Sequence, residues 1–227
     1  KPYITMYSSF LQRAYDQINH DIARMSLPCL IGVDRSGLVG SDGDTHHGVF
    51  DISFLSSIPN LVIMTPCNAY EAKLMINTAF NHFNHPYILR FPRGNVDDMR
   101  CELDKEIEIG KWDYINYDCN NSLSIITYDQ KVLDVYKMIN ENHLKVNLIN
   151  ARFIKPLDYD LLNQLYQDNQ KIIVYETDIM IGSLGSQIAH YYSKNHMNLE
   201  IHYMGIDDHY TPQGSINELL DHEHISV

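Results

Sequence analysis

Positive charge is what this sequence is short of. Its 227 residues carry 17 Lys and Arg against 29 Asp and Glu, a formal net charge of −12. A field of that sign repels nucleic acid and anionic membrane surfaces, so neither is expected as a partner. A small basic pocket for an anionic metabolite stays compatible with it. No apolar run approaches the ~20 residues a membrane span needs. The four cysteines, Cys29, Cys67, Cys101 and Cys119, have neither metal-ligand spacing nor the density of a disulfide scaffold. They read as reduced thiols of a cytoplasmic protein. Internal repeats and low-complexity stretches are lacking too. There is no signal peptide pattern: Lys1 to Tyr7 reads as a strand. The chain does not open on Met and begins inside an apolar strand, which is expected of a piece of a longer chain.

What is present is an alternation of strands and helices. Apolar runs at 4–7, 29–33, 61–64 and 87–91 have strand length. Between them, Leu11, Ala14, Ile18, Ile22 and Met25 recur at helical spacing, which predicts a helix over 10–25. Asn68 is placed to cap a second helix over 69–83. The rhythm breaks over the polar stretch 95–121, with short strands expected near Ile107 and from Trp112 to Ile115. It resumes with strands at 124–127, 146–149, 172–175 and 199–204. Helices are expected at 132–142, at 157–166 begun by Pro156, at 185–192 and at 215–220. Such alternation implies mostly parallel sheets covered on both faces. The expected fold is therefore α/β, with two doubly wound domains at 1–100 and 122–227 joined by a polar linker at 101–121.

In open sheets of this kind ligands bind at the carboxyl ends of the strands. Three segments of the first block lie there. Tyr7-Ser8-Ser9-Phe10-Leu11-Gln12-Arg13 runs from a strand into a helix. On periodicity it reads first as a capped amphipathic helix, with an aromatic and an arginine that cradle a flat ring as the alternative. The loop from Asp34 to Asp51 is long and punctuated by glycine, and it holds Arg35, Asp42, Asp44, His46 and His47. Loops of this length in compact domains usually carry function. A metal site from Asp42, Asp44, His46 and His47 is one reading. Neighbouring residues on an extended backbone point to opposite sides, which counts against it. Third, Arg90-Phe91-Pro92-Arg93-Gly94-Asn95 ends a strand. An arginine there is either a surface charge or, converging with Arg35, part of a phosphate clamp.

Together, YSSFLQRAYDQ, DRSGLVGSDGDTHHGVFD, IPNLVIMTP and RFPRGN resemble the pyrimidine-binding domain of the transketolase family. GKW, NARFIKPLD, IVYETDIMIGSLGS and TPQG continue the resemblance through the second block, into that family's C-terminal domain. The pairing of YSSFLQRAYDQ with DGDTHHGVFD favours the 1-deoxy-D-xylulose-5-phosphate synthase branch over transketolases proper and over the pyruvate dehydrogenase E1 β subunits.

The resemblance implies a thiamine-diphosphate-dependent transferase in isoprenoid and thiamine precursor synthesis. It condenses pyruvate with glyceraldehyde 3-phosphate, releasing carbon dioxide, with the cofactor as electron sink. Residue by residue, Phe10 stacks on the pyrimidine ring with Arg13 beside it. His46 serves the reacting carbons as a proton mover. Tyr7 and Asp42 hold acceptor hydroxyls, and Arg35 and Arg93 grip the acceptor phosphate. The family's activating glutamate falls upstream of Lys1. So does the N-terminal domain expected to carry the diphosphate and Mg2+ ligands, and no metal ligand is assigned here. This chain alone is therefore expected to be inactive, and the implied assembly is a homodimer. Without its cofactor and the N-terminal domain, the loop from Arg35 to Phe50 is expected to be poorly held. Where the family has a small-residue turn after the strand ending at Thr127, this chain has Tyr128-Asp129. Other transketolase-type enzymes, differing in acceptor, are the near alternative. A non-catalytic Rossmann-like assembly module is the distant one. It needs a glycine-rich phosphate turn, and the nearest stretch, Gly182-Ser183-Leu184-Gly185, lacks the spacing.

Overall fold

The computed structural model describes residues 1–95 and 105–227. The first sheet contains β1 (Tyr3–Tyr7), β2 (Cys29–Asp34), β3 (Val62–Met64) and β4 (Pro86–Phe91), all parallel, in the order β1-β2-β4-β3. Strand β2 is a continuous apolar run buried from Cys29 to Val33, as a strand covered on both faces must be. The second sheet contains β6 (Leu123–Thr127), β7 (Asn147–Asn150), β9 (Lys171–Ile179) and β10 (Ile201–Ile206), parallel in the order β10-β9-β6-β7. An antiparallel edge strand, β5 (Asp113–Asn116), follows β7. This is the expected α/β architecture of two doubly wound, mostly parallel sheets.

One strand crosses between them. Phe153–Lys155 forms β8, antiparallel to β3, and completes the first sheet from the second block. The sequence pattern predicts a helix from 157 and no strand between 150 and 156. A three-residue strand carries too little alternation to register, and the helix begins later, as Tyr159–Gln167 capped by the Asp158 carboxylate on Leu161 N.

The expected linker is packed rather than a polar tether; its residues 101–104, and Cys101 with them, lie outside the described residues. Ile107 and Trp112 are buried in the core that also contains Phe153 and Leu161. No strand forms at Ile107. Its backbone N–H instead donates to Thr78 Oγ1 at 2.8 Å. Trp112 Nε1 donates to Phe153 O at 2.8 Å.

The predicted helix over 10–25 is helical but not uniform. An α-turn, α1 (Ser8–Leu11), leads into a 3-10 turn (Gln12–Ala14) and then a wider π-type stretch (Gln17–Ala23). The wider turn brings Ile18 and Ala23, five residues apart, to the core together. Among the described residues, six further α-helices are α2 (Asp51–Ser56), α3 (Ala69–Asn81), α4 (Lys131–Glu141), α5 (Tyr159–Gln167), α6 (Leu184–Lys194) and α7 (Ile216–His222). Asn68 caps α3 as its side chain predicts, accepting from Glu71 N at 2.9 Å. Helix α2 begins at Asp51, where the His-Asp loop ends, and its six residues are too short a run for helical periodicity to register.

Candidate active site

Register sets the site. Tyr7 of β1 pairs with Asp34 of β2, and Asp34 with Phe91 of β4. Three strands thus end level, and the residues that follow each end share one edge of the sheet. Arg35 and Arg93, 58 positions apart by their numbers, meet there on one group. Arg35 Nη1 donates to Asp42 Oδ2, and Arg93 Nη1 donates to Asp42 Oδ1 at 2.9 Å. The Arg35 guanidinium also covers the Tyr7 ring, 4.3 Å from its centroid. Tyr7 stacks on Phe10 with centroids 5.6 Å apart, and Phe10 meets the edge of His46 at 5.5 Å. Arg93, Asp42, Arg35, Tyr7, Phe10 and His46 therefore form one contiguous set. Arg13 is exposed on the turn that follows Phe10.

The adjacent histidines divide: His46 ends a 3-10 turn (Asp44–His46) and His47 leaves it in another backbone conformation. His47 is buried: Nδ1 accepts from Val39 N at 3.2 Å, so Nε2 carries the proton and donates to Pro212 O at 3.0 Å. His46 faces the site, with Nδ1 2.9 Å from Thr45 Oγ1. Asp42 is held by two arginines and His47 by the backbone. The alternative metal site from Asp42, Asp44, His46 and His47 is therefore not assembled.

The expectation of a poorly held loop is also overturned. Gly37 and Gly48 exchange two backbone hydrogen bonds of 2.8 Å, Gln213 Nε2 donates to Ser41 O, and Ile179 N donates to Val49 O. A Cβ on Gly48 would lie 2.1 Å from Arg35 O and 2.7 Å from Ser8 Cβ, so only glycine closes the loop here. The C-terminal block does the work assigned to a missing cover. Its Tyr210 ring meets Phe50 at 6.0 Å and, with Ser8, Ser9, Gln12, Thr45 and His47, lines a cleft of about 410 Å3.

Arg90 does not join the clamp. It is wholly buried and pairs with Asp51 through Nε (2.5 Å) and Nη2 (3.0 Å), and with Asp178 through Nη2 (2.9 Å). Tyr128, one of the two unusual turn residues, donates its hydroxyl to Asp178 at 2.6 Å. Neighbouring Glu176 accepts from Leu184 N (2.9 Å), Gly185 N (2.8 Å) and Ser183 Oγ. That carboxylate fills the start of α6, so the Gly182 to Gly185 turn has no place for a phosphate.

Two carboxylates on one guanidinium cannot both ionise cheaply in a dry interior. Burial, with Asp51 adding to it against the pull of Arg90, raises the Asp178 carboxyl above the ordinary carboxylate range. An acid raised in the folded state binds more protons than in the unfolded state, where it titrates near 3.9. The stability it contributes is present at low pH and is lost as pH rises above the unfolded value and through the raised folded one. The Tm is expected to fall as pH rises above the ordinary carboxylate range. Asp178→Asn should flatten that slope; parallel profiles for the two proteins would assign the proton elsewhere.

Residues 1–98 match the family model described as transketolase, pyrimidine binding domain, and residues 120–227 match that of transketolase, C-terminal domain. The chain is 38% identical, over its whole length, to a 1-deoxy-D-xylulose-5-phosphate synthase of Lysinibacillus sphaericus, and spans 36% of that protein. It is 40% identical over 97% of its length to the synthase of Bacillus velezensis, of which it spans 35%. The chain thus spans about a third of the length of these curated relatives. Among solved structures, a split gene transketolase in an inactive β4 tetramer superposes with a TM-score of 0.84 at 20% identity, covering 99% of this chain and 72% of that one. With two successive domain matches that take in nearly all of its residues, the chain belongs to the transketolase family.

Proposed function

We propose that this chain forms the pyrimidine side and the C-terminal domain of a thiamine-diphosphate-dependent 1-deoxy-D-xylulose-5-phosphate synthase. The reaction joins pyruvate to glyceraldehyde 3-phosphate and releases carbon dioxide. The observation that carries this reading is the convergence of Arg35 and Arg93 on one carboxylate, beside the Tyr7–Phe10–His46 cluster. A carboxylate with both oxygens on two guanidiniums spans what two phosphate oxygens span. Two arginines against one aspartate leave a net positive charge for a phosphorylated acceptor. That separates this acceptor from an unphosphorylated one.

The cofactor's ring fits the residues present. Phe10 is 40% exposed and lies flat against Tyr7, which leaves an aromatic face open to a pyrimidine, with Arg13 on the following turn. When bound, the cofactor supplies the electron sink for decarboxylation. His46 moves or holds a proton at the reacting oxygen, and Tyr7 and Asp42 orient acceptor hydroxyls. The ligands for the diphosphate and Mg2+ belong to an N-terminal domain of the same enzyme. The working assembly is a homodimer, and the division of this chain at 101–121 separates its two domains.

The test is steady-state kinetics on the complete enzyme with Arg35→Ala and Arg93→Ala. A hydrogen bond to a charged group is worth about 1.5–3 kcal/mol. Each variant should therefore raise the KM for glyceraldehyde 3-phosphate by ~10–100-fold and leave the KM for pyruvate nearly unchanged. Equal losses for both substrates would remove the phosphate clamp from the mechanism.

A further inference from the structure

We propose that His209, His222 and Glu223 form a binding site for one transition-metal dication of the zinc type, outside the proposed active site. His209 lies in the connection between β10 and α7, His222 is the last residue of α7, and Glu223 caps its C-terminus. One ligand atom from each lies within 4.8 Å of the other two, the one such cluster of three among the described residues. His209 Nε2 is 2.9 Å from Glu223 Oε2, and the two rings stand nearly perpendicular with centroids 6.4 Å apart.

A second observation points to a ligand. The Glu223 side chain is only 2% exposed, although it sits at a helix end. Its Oε1 is buried without a hydrogen-bond partner. A buried carboxylate oxygen left unpaired is costly, and native proteins rarely keep one without a counter-charge. A cation held by this carboxylate and the two rings supplies it.

The donor set selects the ion. Two imidazoles and one carboxylate suit Zn2+ and its neighbours, whereas Ca2+ and Mg2+ require a cage of oxygens that is not here. Zinc bonds of about 2.0–2.1 Å in a tetrahedron set ligand atoms about 3.4 Å apart. The cluster needs to close by ~1 Å. The His209 side chain, 46% exposed, is free to make that adjustment. Three protein ligands leave a fourth position for water.

The placement gives the ion a role. The segment that follows His209 carries Tyr210 against Phe50, Pro212 O against His47, and Gln213 against Ser41 O. An ion joining His209 to the end of α7 closes this segment into a loop fixed at both ends. It thereby stiffens the platform beneath the His-Asp loop.

Zinc titration of the whole chain after chelator treatment tests the site, by calorimetry and thermal unfolding. One equivalent of Zn2+ should bind, with a Tm rise of roughly 5–10 °C at a hundredfold excess over Kd. His209→Ala and His222→Ala should each weaken binding at least tenfold. Both are exposed in the fold, and unchanged circular dichroism without metal establishes that the variants fold. His202→Ala, which removes an exposed histidine outside the cluster, should bind as wild type. Co2+ in place of zinc should give the visible bands of tetrahedral coordination in wild type and not in His209→Ala. Equal zinc binding by wild type and both cluster variants, or a Tm unmoved by zinc in wild type, overturns the proposal.

Discussion

His46→Ala, made in the complete enzyme, is expected to lower turnover by ~10²–10⁴ while hardly changing the affinity for thiamine diphosphate. The expectation follows from where the ring stands and what it touches. His46 meets Phe10 edge-on, so it sits at the rim of the face proposed for the pyrimidine rather than over it. Its Nδ1 is 2.9 Å from a hydroxyl, Thr45 Oγ1, which can either donate or accept. That hydroxyl supports both neutral tautomers, and so Nε2 can be a donor at one moment and an acceptor at the next. A group that shuttles a proton needs that freedom. His47 lacks it, because Val39 N and Pro212 O fix its tautomer from both sides. Truncating His46 removes the shuttle and leaves the ring contacts in place. Phe10→Ala should do the reverse: an aromatic face is lost and cofactor affinity falls by about tenfold or more, with turnover largely restored at saturating cofactor. If excess thiamine diphosphate restores the turnover of His46→Ala, the residue binds or packs and does not move protons.

Much of this was legible in the sequence, and the reasons differ by element. The parallel strands announce themselves because a strand buried on both faces must be apolar throughout, as β2 is. Once four strands are placed, level carboxyl ends put Arg35 and Arg93 on one edge without any knowledge of contacts. The misses have physical causes too. Strand β8 is three residues long and belongs to the other block's sheet, so neither periodicity nor sequence order betrays it. The loop is tied down by Pro212 and Gln213, more than 160 positions away, and backbone carbonyls leave no compositional mark. Arg90 and Arg93 look equivalent in the string RFPRGN. Strand alternation turns the one into the core and frees the other at the strand end. Tyr128, read as a departure from the family's turn, is explained by its partner: its hydroxyl needs Asp178, which the turn itself does not reveal.

Arg90→Met is expected to destabilise the chain by about 3–5 kcal/mol, a large share of the ~5–15 kcal/mol that holds a typical domain. The substitution nearly conserves volume, so packing is not what is lost. Arg90 is 0% exposed and its partners Asp51 and Asp178 are 0% and 1% exposed, one from each half of the chain. Removing the guanidinium leaves two carboxylates in a dry interior with nothing to neutralise them, and desolvation then dominates. The intact network is not itself a large source of stability. Arg90 Nη1 has no partner, and burying the three charges has already cost several kcal/mol. Replacing Arg90, Asp51 and Asp178 together by apolar residues should therefore be far milder than replacing Arg90 alone. Urea unfolding measures both, and pH separates the cause from simple mispacking. Without Arg90 the stranded carboxylates bind protons more readily when folded than when unfolded, so the variant regains stability as pH falls. The deficit at pH 5 should be clearly smaller than at pH 8. A deficit that is the same at both values would mean that packing around the Arg90 stem, and not the charge it neutralises, joins the two sheets.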